Sequence, residues 1–308
     1  MTDLHEKRSD RVGIDVSVSA FRAVGIDESG TVASVHTKPF VGVSTATEQL
    51  IDFIEELKGR WGTFDRAGIA VPGLVDPTAQ RVEFSIHIPE HSDVDLVSEI
   101  RSMTGVAATI ENDANAAAYG EYLLGAGRGS RSMFYVTLGE GVGGAFILNG
   151  EIWRGSGGFA GEFGYVAINS EGMRLEDVAS SSNIIRRTRS RFHQDNTSSL
   201  NRMAEEAISL SDIITAAGNN DDFSQMMLQR TGSYVGSAVA NVINLLNIER
   251  VVVGGEITKA KHLVLEAIVA RARELSFGPS FRSTKIVEGS LGDNAPAVGA
   301  ALLGNPNN

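Results

Sequence analysis

The chain of 308 residues contains no cysteine. Without thiols it can form no disulfide framework, no thiolate zinc site and no cysteine nucleophile. No apolar run approaches the ~20 residues that a membrane-spanning helix needs. The polar residues at the start, with charges of both signs, do not resemble a secretory signal. We therefore expect a cytoplasmic protein that makes no contact with a membrane.

Basic residues are fewer than acidic residues. The sequence has 27 Lys and Arg against 38 Asp and Glu, which gives a net charge of −11. Such a surface repels the phosphate backbone of nucleic acids. Only ~10 residues precede the first predicted strand, too few for a helix-turn-helix module ahead of it. We therefore expect no nucleic-acid partner, and a DNA-binding repressor is the least favoured function.

Hydrophobic periodicity predicts the same plan twice along the chain. In each half a meander of three strands is followed by helices and by a strand that stops at glycine. The first half has predicted strands at 12–18, 21–26, 31–37, 67–71 and 107–110 and helices at 45–59, 94–104 and 114–124. The second has strands at 132–138, 142–148, 151–153, 250–253 and 284–288, a helical region over 175–224 and helices at 223–246, 261–275 and 295–303.

This repetition predicts an α/β protein with two lobes around a cleft and ligands at the strand ends. Residues 1–112 with 299–308 are the predicted small N-terminal lobe, and residues 113–298 the large C-terminal lobe. The alternative is that α/β proteins reuse such units without any functional meaning.

Asp113 is the first residue with a chemical interpretation, because it follows a predicted strand and begins a predicted helix. A structural role is the helix N-cap, for which Asp is a favoured residue. A functional role is that of a general base that accepts the proton of an attacking hydroxyl. A helix cap alone would not need the two asparagines beside it, Asn112 and Asn115, which favours the functional role.

Two glycine-rich segments are further candidates. Gly139-Glu140-Gly141 with Gly143 can offer backbone N–H groups to phosphates, or it is a hairpin that needs positive φ. Glu162 lies in the second segment, residues 157–164, where its carboxylate could accept hydrogen bonds from sugar hydroxyls. The alternative for Glu162 is a solvated loop charge.

Four segments are informative when taken together: Glu111 to Glu121, Pro72 to Asp76, Ala160 to Gly164 and Val252 to Gly255. They resemble the ROK family (repressors, open reading frames and kinases), whose glucokinase-like members have the actin/hexokinase-type fold. The resemblance covers nearly the whole chain. It implies a two-lobed, ribonuclease-H-like fold with duplicated mixed-sheet domains, a homodimer, and phosphorylation of a hexose or amino-sugar by Mg-ATP.

The resemblance also implies roles for individual residues. It makes Asp113 the catalytic base, and it places Asn112 and Glu162 at the sugar. Asp15 would help to position Mg²⁺. The remaining implied positions are Gly139, Gly141 and Gly143 beside the phosphates and Gly254 and Gly255 beside the nucleotide.

The phosphate turns depart from the family pattern. Where the family has Asp-x-Gly-Gly-Thr, this chain has Asp15-Val16-Ser17-Val18-Ser19. Ser17 and Ser19 could supply hydroxyl donors, but the β-branched Val18 cannot readily adopt the backbone shapes of glycine. Glu140 replaces a threonine and places a carboxylate where phosphates are expected.

The sugar and zinc positions depart as well. Tyr165 stands in the place of a zinc-binding histidine, and residues 169–176 carry no thiol. We therefore expect no zinc, while Tyr165 could hydrogen-bond a sugar hydroxyl. His87 stands where the family has an asparagine in the sugar pocket.

Two hypotheses from different classes follow. The first is a ROK-type sugar kinase with Asp113 as general base. The second is a non-catalytic, sugar-binding regulatory protein with a degraded ATP phosphate site. Two other features are expected to be structural: His91 as a surface loop residue, and Arg186, Arg187, Arg189 and Arg191 as a solvated helix face.

Overall fold

A computed structural model describes residues 11–41 and 44–304 of the chain. Its first sheet has the strand order β3-β2-β1-β4-β7. The first three strands form an antiparallel meander, and β1, β4 and β7 run parallel. The strands are β1 Arg11–Val16, β2 Ala20–Ile26, β3 Val32–Pro39, β4 Arg66–Val71 and β7 Ala107–Asn112, and a separate hairpin is formed by β5 Leu74–Asp76 and β6 Arg81–Phe84.

The second sheet repeats this arrangement, with the order β10-β9-β8-β11-β12. Here β8 and β9 are antiparallel, whereas β8, β11 and β12 run parallel. The internal duplication predicted from the sequence is therefore confirmed at the level of topology. The strands are β8 Ser132–Leu138, β9 Val142–Leu148, β10 Glu151–Trp153, β11 Arg250–Gly254 and β12 Lys285–Glu288.

Ten α-helices lie in the described part of the chain. Thr45 begins the first with a capping box, in which its hydroxyl accepts from the Glu48 N–H and the Glu48 carboxylate accepts from the Thr45 N–H. They are α1 Ala46–Trp61, α2 Leu96–Thr104, α3 Asp113–Leu123, α4 Glu176–Ala179, α5 Ser181–Arg189, α6 Leu210–Gly218, α7 Asp222–Leu246, α8 His262–Leu275, α9 Gly278–Ser283 and α10 Ala295–Leu303. None of these helices is long and apolar enough to cross a membrane.

The chain divides into two compact units. The first comprises residues 1–129, 151–160 and 293–308, and the second residues 130–150 and 161–292. The predicted boundary at residue 113 falls at the start of α3, which packs against α10 inside the first unit. The lobe boundaries themselves stay a prediction.

The last helix, α10, packs within the first unit at very short range. A Cβ added to Gly299 would lie 1.6 Å from the Ala116 carbonyl oxygen of α3. A Cβ on Gly68 of β4 would lie 1.8 Å from the Ala300 carbonyl oxygen. Glycine is therefore needed here so that the α10 backbone can touch α3 and the sheet. The resulting position of α3 fixes where its first residue, Asp113, stands.

Two structural expectations are wrong. His91 is fully buried in a short 3-10 helix, Pro89–Ser92, instead of lying on a surface loop. The basic cluster is not a uniformly solvated face either: Arg186 is exposed, but two other arginines of α5 hold carbonyls of neighbouring segments. Arg187 is buried and donates to the Val178 carbonyl, and Arg189 donates to the Ile208 carbonyl at 2.8 Å.

Candidate functional site

Asp113 is the first residue of α3, and the strand before it runs two residues further than predicted, to Asn112. The N-cap is therefore Asn112, whose Oδ1 accepts from the Asn115 N–H at 3.0 Å. The structural role expected of Asp113 as the cap is wrong, because the cap stands one residue earlier. Asp113 is thus not required for capping.

The Asp113 carboxylate is held through one oxygen. Its Oδ1 accepts from the Ala114 N–H at 2.8 Å and from the Asn112 amide at 3.0 Å. No described residue donates to Oδ2. Burial raises the pKa of Asp113, while the Ala114 N–H and the nearby charge of His87 oppose that rise. One oxygen of a carboxyl with a raised pKa is therefore left for another donor.

The side-chain amide of Asn112 is fully engaged as a donor. Besides Asp113, it donates to the Gly73 carbonyl at 2.9 Å. Both hydrogens of this amide are thus donated within the protein, so a bound molecule could form a hydrogen bond with this side chain only through Oδ1. Asn112 mainly links the Pro72-Gly73 turn to the Asp113 carboxylate.

Asp15, at the end of β1, lies within electrostatic reach of Asp113. Burial, and after it the charge of Asp113, raise the pKa of Asp15 to about 8. Arg22, its neighbour on β2, acts in the opposite direction, and Asp293 before α10 adds to the rise. The described residues include no group of three acidic, histidine or cysteine side chains arranged to hold a metal ion.

The turn after Asp15 is closed by its own serine. The Ser17 hydroxyl donates to the Ala20 carbonyl at 2.9 Å and accepts from the Ala20 N–H at 3.1 Å. Neither Val18 nor its neighbours adopt positive φ. The chain thus makes this turn without glycine. Ser17 is committed to the turn, whereas the side chain of Ser19 is exposed.

The Gly139-Glu140-Gly141 turn in the second unit connects β8 and β9. The Gly139 N–H donates to the Gly141 carbonyl at 3.0 Å, and the Gly139 carbonyl accepts from the Ser181 N–H at 2.7 Å. No acceptor among the described residues meets the N–H groups of Glu140 and Gly141. None of the glycines of this segment has positive φ. A Cβ on Gly139 would point into open space, so access to the backbone explains glycine there better than backbone shape does.

Gly254 and Gly255 lie directly beside this turn. Gly255 has φ of +89°, and a Cβ there would lie 2.4 Å from the carbonyl oxygen of Leu138, the residue before Gly139. A cavity of about 280 Å³ opens in the same unit. Its lining includes Asn220, Gln225, Lys259, Lys261 and His262. The turn, the two glycines and the cavity belong to one unit.

Glu162 precedes a single 3-10 turn, Phe163–Tyr165, which ends at Tyr165 and is anchored by the buried Phe163. Glu162 is exposed. Tyr165 is 51% exposed, and the Arg174 guanidinium lies 4.6 Å from the centre of its ring. Arg174 closes a short hairpin by pairing with Ala167. The segment that lacks the thiols is thus organised by backbone pairing and a cation–π contact.

The predicted residues fall into two groups. Those in the first unit are Asp15, Ser17, Ser19, His87, Asn112 and Asp113, and those in the second are Gly139, Gly141, Gly143, Glu162, Tyr165, Gly254 and Gly255. Their functional roles stay predictions. Sequence reasoning missed Glu111, Arg154 and Asp293. A signal for Glu111 was present, since it opens the polar run that contains Asp113.

The chain is similar to known proteins over nearly its whole length. The sequence model of the ROK family matches residues 11–306. A glucokinase from Thermotoga maritima is 30% identical over 95% of this chain and 96% of its own length. The xylose repressor of Bacillus subtilis is 28% identical over 98% of this chain and 79% of its own length.

Solved structures give the same result for the fold. The ROK family glucokinase from Streptomyces griseus, in complex with glucose and AMPPNP, has a TM-score of 0.83 and 27% identity. That match covers 96% of this chain and 98% of the other. A ROK family transcriptional regulator, a homologue of E. coli MLC, has a TM-score of 0.82 and 26% identity over 95% of this chain and 77% of its own. The α/β fold with two mixed sheets is therefore the actin/hexokinase type.

Proposed function

Because this chain belongs to the ROK family, we propose that it transfers the γ-phosphoryl group of ATP to a hydroxyl of a hexose or amino-sugar. The observation that carries the proposal is the Asp113 carboxyl. Its pKa is raised by burial, one oxygen is fixed by two donors, and the other has no donor among the described residues. A general base works best with a pKa near the working pH.

Asp113 would accept the proton of the sugar hydroxyl through Oδ2. The hydroxyl oxygen then forms a bond to the γ-phosphorus as the bond to the bridging oxygen breaks, and ADP leaves. Asn112 would hold Oδ1 so that the other oxygen faces the sugar. The exposed carboxylate of Glu162 and the side chains of His87 and Tyr165 would complete the sugar contacts.

The ATP side of the proposal rests on the second unit. The N–H groups of Glu140 and Gly141 would meet phosphate oxygens, and Gly254-Gly255 would lie by the nucleotide. The cavity lined by Lys259, Lys261 and His262 in the same unit would accept the rest of it. Its volume of about 280 Å³ is close to the lower limit for small-molecule pockets. Of the two serines in the turn after Asp15, Ser19 is the better candidate for a phosphate contact, because the turn uses the hydroxyl of Ser17.

Mg²⁺ fits the chemistry of Asp15. Magnesium prefers oxygen ligands and is usually held by one or two carboxylates together with substrate phosphates. Asp15 offers a carboxylate with acidic neighbours, and the described residues offer no complete cage of their own. When bound, Mg²⁺ would neutralise charge on the phosphates. No zinc is part of this proposal.

A second function has two observations in its favour. The chain is nearly as similar to a xylose repressor, at 28% identity, as to a glucokinase, at 30%. Glu140 also places a carboxylate on the turn proposed for phosphate. A regulatory protein that binds sugar without turnover would be stabilised by sugar and would not respond to Mg-ATP.

A coupled ADP-release assay over a panel of hexoses and N-acyl amino-sugars tests the proposal. The wild type should release ADP with at least one sugar, and Asp113→Asn should lower kcat by about 10²- to 10⁴-fold. Asp52→Asn on the exposed face of α1 is the control. Unchanged turnover in Asp113→Asn would refute the role of the base. Sugar binding without Mg-ATP binding in calorimetry would support the regulatory function.

A homodimer, which the family resemblance implies, and a cytoplasmic location, which the composition led us to expect, also stay predictions. Light scattering after size-exclusion chromatography would measure the oligomeric state directly.

A further inference from the structure

Glu111 is a buried carboxylate that the proposed mechanism does not use. All of its hydrogen-bonding capacity is directed at three residues. Its Oε1 accepts from the Asn112 N–H at 3.0 Å and from the Asn115 side-chain amide at 3.0 Å. Its Oε2 accepts from two nitrogens of Arg154, with Nε at 3.1 Å. Glu111 is 6% exposed, so these bonds are shielded from water.

The two donors to Oε1 belong to the first turn of α3. Asn112 is the N-cap, and Asn115 is three residues further on. Asp113 lies between them, and its Oδ1 takes one bond from the Asn112 side chain and one from the Ala114 N–H. The orientation of the Asp113 carboxylate therefore depends on the position of the Asn112 backbone, which Glu111 holds.

Arg154 provides the charge that makes a buried Glu111 tolerable. A buried carboxylate without a partner is strongly disfavoured. The guanidinium is itself fixed, because Nη1 donates to the Ile152 carbonyl at 3.4 Å. The Arg154 carbonyl accepts from the Ala160 N–H at 2.9 Å and so closes the glycine-rich loop 155–159. Arg154 thus connects this loop to the start of α3 within the first unit.

We propose that Glu111 and Arg154 are positioning residues that keep the Asp113 carboxylate aligned with its Oδ2 directed at the sugar hydroxyl. This inference rests on the proposed kinase function. The pair does not contact the reacting atoms, so it acts on the chemical step and leaves sugar affinity nearly unchanged. A displacement of ~1 Å at a reacting group can cost about 100-fold in rate.

The test combines kinetics with amide exchange in Glu111→Gln, Arg154→Met, the double variant and Arg154→Lys. We expect kcat to fall about 10- to 100-fold in each single variant with KM for sugar within about threefold. The fold-decrease in kcat of the double variant should be smaller than the product of the two single-variant decreases, because both changes break the same pair. Arg154→Lys should recover part of the loss, since it keeps the charge but lacks the fork of donors.

Hydrogen exchange of the first turn of α3 supplies a readout that does not require turnover. The exchange should quicken about tenfold or more in Arg154→Met, because the Glu111 anchor is loosened. Glu56→Gln is the matched control, since the Glu56 carboxylate is also held by several side chains, those of His36, Lys38 and Arg60, but lies on α1. It should change neither kcat nor the exchange.

Each result has a defined meaning. If the single variants keep kcat within twofold of the wild type, the pair does not position the base and the inference fails. If the wild type itself shows no sugar-dependent turnover, the proposed function fails, and exchange alone then decides whether the pair holds α3. Unchanged exchange in Arg154→Met would overturn the inference in either case. Where a single variant fails to fold, the charge-neutral double variant and Arg154→Lys provide the comparison.

Discussion

Replacing Asp15 by asparagine should stabilise the folded chain, and the gain should grow as the pH rises. In the folded chain burial and the charge of Asp113 raise the pKa of Asp15 from 3.8 to about 8. Between these values the unfolded chain releases the proton while the folded chain retains it. The protonated Asp15 side chain therefore costs the folded chain no stability below about pH 4. The folded chain loses stability relative to the unfolded chain as the pH rises from there through about 8.

The expected magnitude follows from the size of this rise. One pKa unit corresponds to about 1.36 kcal/mol, so the rise from 3.8 to about 8 sets an upper bound of roughly 6 kcal/mol above pH 8. The Asp15 side chain is only half-buried, and solvent screening reduces the effect. We therefore expect Asp15→Asn to gain about 2–3 kcal/mol in the free energy of unfolding at pH 8.5 and less than about 1 kcal/mol at pH 5.

Urea unfolding at pH 5, 6, 7 and 8.5 measures this difference, with circular dichroism as the probe. Asp52→Asn on α1 is the control, and it should stay within about 0.5 kcal/mol of the wild type at every pH. A difference between Asp15→Asn and wild type that does not change from pH 5 to pH 8.5 would refute the reasoning. The same variant should lose most of the thermal stabilisation by Mg-ATP, because its side chain can no longer offer a carboxylate to Mg²⁺.

Two further predictions concern packing and the phosphate turn. Gly299→Ala should lower the free energy of unfolding by about 1–3 kcal/mol or more in urea melts, because its Cβ would lie 1.6 Å from the Ala116 carbonyl oxygen. Gly59→Ala is the control: a Cβ there meets nothing within 4 Å, so the change should raise the free energy of unfolding by about 0.4–1 kcal/mol. Glu140→Gln should lower KM for ATP about five-fold at low salt and less at high salt, since the repulsion between two charges at ~4 Å in water is about 1 kcal/mol. Glu171→Gln, a control at another exposed glutamate of the second unit, should leave KM for ATP unchanged. A KM for ATP that rises in Glu140→Gln would contradict the proposed repulsion.

The sequence predicted most elements of the fold because they depend on local periodicity. The long helix α7 begins one residue before its predicted start, and β8 and β9 have their predicted bounds. The duplication could be seen for the same reason, since each sheet begins with a meander of consecutive strands.

The misses involve contacts between residues far apart in the chain. Glu111 and Arg154 are 43 positions apart, and no local pattern connects them. His91 is polar and lies near Pro89, which favours a loop, but tertiary packing buries it fully. Within the candidate site, residue types at the strand ends could be predicted. The sequence could not predict which atoms of Asp113 and Asn112 already take part in hydrogen bonds, because that depends on Gly73 and on the exact end of β7.

Asp15 and Asp113 together show how the first unit would suit phosphoryl transfer. The charge of Asp113 raises the pKa of Asp15, so full ionisation of both carboxyls is costly when no cation is near. A cation bound at Asp15 would favour the ionised forms and offset that cost. Binding of Mg²⁺ with ATP would then be coupled to deprotonation of the two acids, and Asp113 would be ready to accept a proton when the phosphate donor is present. The instability that Asp15→Asn should remove is, on this argument, the same property that couples metal binding to the base.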